Sequence, residues 1–432
     1  MLLKWRTLLL DKDGQSLNPS RHISNPEEHA TSPTLGIASI GIENYKSIRE
    51  LDLPIQPFMV FVGPNAAGKT NLIQALSLLL DLQADGTTEP FELYGGFDQL
   101  VTRTKRRRHF IKFRITAPLR KMATFRQAER LALSNLMLEH DLTLRAGSNA
   151  GEVRVDLESA RILESGREVL ASNWKNGDLK DLIAPKEWGI TQEGLSKIGG
   201  EGDPHAVNLL WLLRSLRYAR LLQVTRLRLD ASALRRDSQL TTARHGHVLG
   251  PTGEGLPLAV ERFKQQGKLP GIIAGLREVY PRIKDVDTIH PLPGQVALKF
   301  TEDGIEDGLG QANVSDGIMH ALAILIALES PGPLAVEEPE NALHPWALRK
   351  LMEKMRNRKS TGPLLITTHS PTVVDCITDP DDLFIVDNSV EKGTTVTRAT
   401  CKEEALKIVM SESGQQLGQI WLDGSLGGVP GE

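Results

Sequence analysis

Cysteine is almost absent from this chain. Cys376 and Cys401 are the only two in 432 residues, so no disulfide framework can form, and no Cys/His cluster has zinc spacing. Such usage suits a reducing compartment. Aromatic residues are also few, at 5%, which disfavours a surface on which nucleic-acid bases stack. Neither sign of charge dominates: 51 Lys+Arg oppose 54 Asp+Glu, for a formal net charge of −3. That balance argues against a nucleic-acid coat protein, although it leaves local patches open. Long hydrophobic runs are missing too. The longest predominantly apolar stretch, Ile318 to Leu328, falls far short of the roughly 20 residues that cross a bilayer. At the start, Lys4 and Arg6 interrupt Met1 to Leu10 and no small-residue cleavage site follows, unlike a secretory signal. A cytoplasmic protein with no membrane contact is expected.

What remains is ordinary globular material. Apolar residues make up 40% and charged residues 24%, close to the averages for folded soluble domains, and the length suits two or three lobes. Residues 1–36 are polar and turn-rich and read as a flexible arm. Strand signals follow at Ile37 to Ile42, Leu51 to Ile55 and Phe58 to Val62, then helical spacing from Asn71 to Leu80. Alternation at His109 to Thr116, Leu142 to Arg145, Glu152 to Leu157 and Arg161 to Leu163 predicts an antiparallel meander. The first lobe is therefore set at 37–175. Residues 176–290, with helical patterns at Ala206 to Leu222, Leu256 to Gln266 and Gly271 to Val279, are expected to form a mostly helical insert. The remainder, 291–432, alternates strand and helix in the order of a parallel α/β sheet. The predicted class is α/β, a mixed sheet with an antiparallel meander and a helical inserted lobe.

Chemistry concentrates in four places. Gly63-Pro-Asn65-Ala66-Ala67-Gly68-Lys69-Thr70, followed by Asn71, fits the phosphate-loop pattern G-x-x-x-x-G-K-[ST]. Its glycines let backbone N–H groups face β- and γ-phosphates, and the next helix adds its positive end. Lys69 supplies a mobile cation, and the Thr70 hydroxyl a ligand for Mg2+. Leu334-Ala-Val-Glu337-Glu338 is an apolar strand ending in two carboxylates; the first can hold Mg2+ and the second can polarise an attacking water. Ser315, in Val314-Ser-Asp-Gly317, has the residue type of a helix N-cap, and a helix start with a free hydroxyl is also an anion site. His369, in Thr367-Thr-His-Ser-Pro371, closes another buried strand within reach of a γ-phosphate.

These four features, in this order and with Val336-Glu-Glu-Pro-Glu-Asn-Ala-Leu-His-Pro345 around the paired acids, resemble the ABC-type P-loop ATPases of the RecF, Rad50 and structural-maintenance group. The likeness is closest to the ATPase part of the overcoming-lysogenization-defect (OLD) family, and it takes in Phe97 to Leu100, Arg228 to Arg235 and Leu417 to Pro430. That resemblance implies ATP and Mg2+ as ligands. It makes Lys69 and Thr70 the Walker A pair, Glu337 the metal carboxylate, Glu338 the catalytic base and His369 the switch histidine. Gln99 becomes a Q-loop metal candidate. Ser315 and Gly317 become a signature that reaches the ATP of a second protomer, so a homodimer or higher oligomer is expected. Asp316 and Glu337 depart from transporter ATPases, which carry Gly and Asp there, and both fit the OLD-like branch.

The same resemblance leads one to expect a Toprim-type nuclease. About 60 residues follow His369, too few for an independent nuclease domain, and Asp379-Pro-Asp-Asp382 reads as an acidic turn. The expectation is an ATPase that regulates a separate nuclease effector in anti-phage defence, with a RecF-like DNA-repair ATPase as the alternative. A Rad50-like reading is excluded by the absence of heptads. Between Val101 and Gln127 lie ten basic residues, Arg103 to Arg126, and no acidic one; Arg214, Arg217, Arg220, Arg226, Arg228, Arg235 and Arg236 form a second cluster. Both suit phosphate backbones, or else ion-paired faces.

Overall fold

A computed structural model of the chain describes residues 37–85, 89–92, 94–103, 109–118, 136–149, 151–179, 225–236, 238–239, 249–330, 332–359, 362–402 and 416–424. They fall into two compact units, one from the described part of Met1–Ile55 and Leu78–Gln223, the other from that of Gln56–Ser77 and Val224–Glu432.

The first unit is an antiparallel sheet. Its strands run in the order Arg167–Asp178, Val153–Glu164, Leu136–Ala146, Phe110–Pro118, Ser39–Tyr45 and Ile48–Pro54. Strict alternation along Phe110–Pro118 sends Ile111, Phe113, Ile115 and Ala117 inward, as a sheet with one buried face requires. The intervening residues carry charge: Arg114 Nε donates to Asp141 Oδ1 at 2.9 Å, and Arg161 Nη2 reaches Glu139 and Asp141 at 2.6 and 2.9 Å. The meander predicted from residue 109 is present and runs on to Asp178.

The second unit holds strands in the order Gly393–Arg398, Leu383–Ser389, Phe58–Val62, Leu364–Thr368, Leu334–Glu337 and Thr225–Leu227. All neighbours are parallel except the first pair. Unbroken apolar runs such as Phe58-Met-Val-Phe-Val are what a sheet covered on both faces demands, and Met59 to Val62 are fully buried. Helix Asp316–Leu328 is buried on every side from Gly317 to Leu328. The longest apolar run is therefore the central core helix, in keeping with a helix that has no polar face. Each buried Leu or Ile in it contributes roughly 1.5–3 kcal/mol.

Two expected boundaries move. The phosphate loop, assigned to the first lobe, belongs to the second unit. Nor do the described residues of 176–290 form a separate helical lobe. Helices Leu256–Gln265 and Leu269–Val279 each have one apolar face, and Leu256, Val260, Phe263, Ile272 and Leu276 share a single buried cluster with Ile318 to Leu328. An all-apolar helix must be covered, and these amphipathic neighbours cover it. Strand Ile283–Ile289 pairs with Gln295–Glu302 in a small second sheet. The helix expected at 206–222 and the arm at 1–36 lie outside the described residues.

Candidate nucleotide site

Strand Phe58–Val62 ends in the middle of the parallel sheet, and the chain turns through Gly63 to Gly68 into helix Lys69–Asp85. The turn needs left-handed backbone at Ala66 (φ 66°) and Gly68 (φ 106°). A Cβ on Gly68 would run into the Thr394 side chain, and one on Gly63 into the Val386 carbonyl; glycine is required by close approach as well as by φ. From the same neighbouring strands, Thr394 Oγ1 donates to the Ala67 carbonyl at 3.0 Å, and Asn388 Nδ2 to that of Ala66 at 3.2 Å. Asn65 and Ala66 are exposed, Thr70 and Asn71 half-buried. Lys69 is buried, and its ammonium donates to the carbonyls of Gly63 (2.7 Å) and Pro64 (2.9 Å). Burial pushes its pKa down, against the pull of Glu338 and Glu340.

The parallel strand Leu334–Glu337 delivers the acids. Glu337 is buried, and its Oε1 accepts from Arg226 Nε at 2.5 Å. Glu338 turns away in the left-handed region (φ 51°), a conformation costing of order 1–3 kcal/mol and concentrated at functional sites. Its N–H still donates to Thr367 at 2.8 Å. Asn341 Nδ2 holds Oε2 at 3.1 Å, while Oε1 faces His369 Nδ1 at 3.9 Å. One oxygen is thus fixed and the other open, as a general base needs.

Sequence reading missed Glu340. Its Oε1 accepts from the Thr368 hydroxyl (2.7 Å) and the His369 N–H (3.0 Å) and lies 3.5 Å from His369 Nδ1. Its Oε2 is buried with no hydrogen-bond partner among the described residues. The only signal was a third acid in Glu337-Glu-Pro-Glu340, and its approach to the next strand is purely tertiary.

At the signature segment, Ser315 caps helix Asp316–Leu328 by accepting from Ile318 N–H at 3.4 Å. Gly317 has no room for a side chain: a Cβ would sit 2.5 Å from the Tyr280 hydroxyl and 2.7 Å from the Ala342 carbonyl. Ala342, itself left-handed, belongs to the loop that follows Glu338. Hence the start of helix Asp316–Leu328 lies against the loop that follows Glu338.

Gln99 lies on the short helix Phe97–Leu100 of the first unit, where its side-chain oxygen accepts from Arg103. Lys112 and Arg114 of the first basic stretch pair with Asp141, and Arg226 and Arg235 of the second pair with Glu337 and Asp316. These four belong to ion-paired networks. Lys105 to Arg108, Arg120, Lys121, Arg126, Arg214, Arg217 and Arg220 lie outside the described residues. Asp379 caps a short turn by accepting from Asp381 N–H, so the acidic triplet is a turn. Among the described residues no group of three or more His, Cys, Asp or Glu could hold a metal ion alone. Thr70 carries a hydroxyl and Glu337 a carboxylate, the hard oxygen donors that Mg2+ takes beside waters and substrate phosphates.

Residues 58–375 match the family model AAA_21, described as "AAA domain, putative AbiEii toxin, Type IV TA system". The chain belongs to the AAA_21 family. Its short matches among curated proteins fall on an OLD nuclease and a RecF protein. It is 41% identical over 39 residues to the OLD nuclease of Thermus scotoductus, which is 9% of this chain and 7% of that protein. It is 41% identical over 49 residues to the DNA replication and repair protein RecF of Corynebacterium jeikeium, 11% of this chain and 12% of that one. The AAA_21 chain thus spans only a small part of the curated relatives it matches. Among solved structures, an Smc head bound to the C-winged helix domain of ScpA aligns at TM-score 0.49 and 12% identity, over 84% of this chain and 97% of that one. An Smc head from Pyrococcus furiosus with an extended coiled coil, bound to the C-terminal domain of ScpA, aligns at 0.48 and 11%, over 88% and 100%. No helix among the described residues is long and apolar enough to cross a membrane.

Proposed function

We propose that this chain binds and hydrolyses ATP in a head-to-tail pair of copies, and that the cycle governs a separate effector in anti-phage defence. One observation carries the hydrolytic reading: the left-handed Glu338, with one carboxylate oxygen tied to Asn341 and the other open toward His369, belongs to the same unit as the Lys69 loop. Lys69 would leave the Gly63 and Pro64 carbonyls for the γ-phosphate, an exchange of neutral acceptors for a charged one. Thr70 and Glu337 would hold Mg2+, which neutralises developing phosphate charge when bound. Glu338 would take the proton of the attacking water, and His369 would hydrogen-bond the γ-phosphate. Ser315 and Gly317 would act on the nucleotide of the partner copy, which makes the pair the working unit.

The test is kinetic. Glu338→Gln should retain ATP and lose turnover, whereas Lys69→Ala should lose ATP itself; undiminished turnover in Glu338→Gln would exclude the assignment. For the effector, the likeness to an OLD nuclease favours a Toprim-type partner acting in the cytoplasm. Co-purification of a nuclease whose DNA cleavage responds to ATP supports that step, and cleavage indifferent to ATP and to Glu338→Gln removes it. The likeness to RecF keeps DNA binding as a second reading. It requires that Arg106, Arg107 and Arg108 changed to alanine weaken DNA affinity and lower its salt dependence.

A further inference from the structure

We propose that Arg235 is the positioning residue of the signature segment: it fixes the start of helix Asp316–Leu328 so that Ser315 and Gly317 can meet a nucleotide carried by a second copy. The proposal rests on the two-chain reading above. Arg235 stands at the end of the short helix Ala231–Leu234, whose own start is capped by Asp230 accepting from Ala233 N–H at 2.9 Å. Leu234 is fully buried, and Gly253 approaches it so closely that a Cβ there would overlap it. The backbone that carries the guanidinium is therefore anchored.

From that anchor the side chain spends itself on one target. Nη1 donates to the carbonyls of Gln311 (2.7 Å) and Ala312 (3.0 Å), Nη2 to that of Val314 (2.6 Å), and Nε and Nη2 to Asp316 Oδ1 (3.1 and 2.5 Å). Gln311 answers in the opposite direction. It is buried, its Nε2 donates to the Arg235 carbonyl at 2.8 Å, and its Oε1 accepts from Leu298 N–H at 2.7 Å. The residues leading into Ser315 thus hang between an arginine fork and a strand of the small sheet. Only guanidinium has the planar set of donors for three carbonyls and a carboxylate at once; an ammonium cannot span them.

The arrangement also accounts for Asp316. A carboxylate in the first turn of a helix is favoured by the helix dipole, and here it is the acidic half of the clamp. Two residues of the sequence that looked unrelated, a member of a basic cluster and an unusual signature acid, are one device. Helix Asp316–Leu328 cannot shift sideways, being buried all round, so the clamp sets where Ser315 and Gly317 sit at its tip. A staple serving only the fold would affect stability and nucleotide binding within one copy. A positioning residue affects what the tip does to another copy.

The experiment separates these. In a Glu338→Gln background, ATP affinity is measured with a fluorescent ATP analogue at concentrations where copies are single, and ATP-driven association by sedimentation velocity. Arg235→Ala should leave ATP affinity unchanged and weaken association about ten- to a hundredfold, the scale of losing charged hydrogen bonds. Arg235→Lys should rescue little of it. Association at parental strength in Arg235→Ala, or ATP affinity falling in step with association, overturns the proposal. Should Arg235→Ala fail to fold, Asp316→Ala decides, because it leaves the three carbonyl bonds in place: weakened association upholds the clamp and parental association overturns it. A Glu338→Gln parent that does not associate with ATP refutes the two-copy reading itself, independently of Arg235.

Discussion

The meander and the residues around the phosphate loop hold their charges differently. In the antiparallel unit, Arg114, Arg161 and Lys112 meet Glu139 and Asp141 across neighbouring strands, and His140 meets Glu158 on the buried side. In the nucleotide unit, Lys69 turns to backbone carbonyls, Glu338 occupies a strained backbone region, and a buried oxygen of Glu340 has no hydrogen-bond partner among the described residues. Charge left open beside backbone strain marks where a ligand completes the set.

That contrast can be broken by measurement. The largest effect is expected from Glu338→Gln: loss of a general base should lower kcat about 10²–10⁴-fold, with ATP still bound. Lys69→Ala should abolish measurable ATP binding. Because burial lowers the Lys69 pKa, wild-type ATP affinity should already fall with rising pH below the ordinary lysine range near 10.4, and equilibrium titrations across alkaline pH would show it. Glu340→Ala should cost turnover by releasing His369 and Thr368, whereas Glu340→Gln, which keeps an acceptor, should recover much of it at unchanged ATP affinity. If both variants turn over normally, the unpartnered oxygen is idle.

Smaller effects test the scaffold side. Arg358 donates to the carbonyls of Leu328, Ser330, Gly332 and Gly362, and burial pushes its pKa down to about 10. Arg358→Ala should cost about 2–4 kcal/mol in denaturant unfolding, the cost of leaving buried carbonyls unpaired, without altering ATP affinity. Smallest is the meander network. Burial raises the pKa of Asp141, but hydrogen bonds and charge from Arg114 and Lys112 outweigh it and leave the carboxyl lowered. Its stabilisation is present above the unfolded value near 3.9 and is lost as pH falls through the lower folded value. Asp141→Asn should therefore flatten acid unfolding by about 1 kcal/mol and leave turnover untouched; a fall in turnover would mean that the meander charges serve the site.

Much of this was legible before the structure. Local rules suffice where a motif is contiguous: the loop Gly63 to Thr70, the acids at Glu337 and Glu338, and the apolar runs of the parallel strands announce themselves through spacing alone. The helical insert did not behave so simply, because amphipathic helices carry no mark of which surface will cover them. The basic clusters left two readings open for a similar reason. Counting cations along the chain cannot show that Lys112, Arg114, Arg226 and Arg235 face acids on other strands or helices.

Sequence by itself determined the candidate chemistry: a phosphate-loop pattern, a pair of carboxylates, a histidine and a serine at a helix start, each set by residues adjacent in the chain. Tertiary structure alone decided which further side chains serve them. Glu340 reaches His369, Arg226 reaches Glu337, and Arg235 grips the residues around Ser315 from about 80 residues away. The physical reason is range. Phosphate cradles and strand-end acids are built from local backbone geometry, whereas the ion pairs that hold them in register exist only once distant segments are packed together.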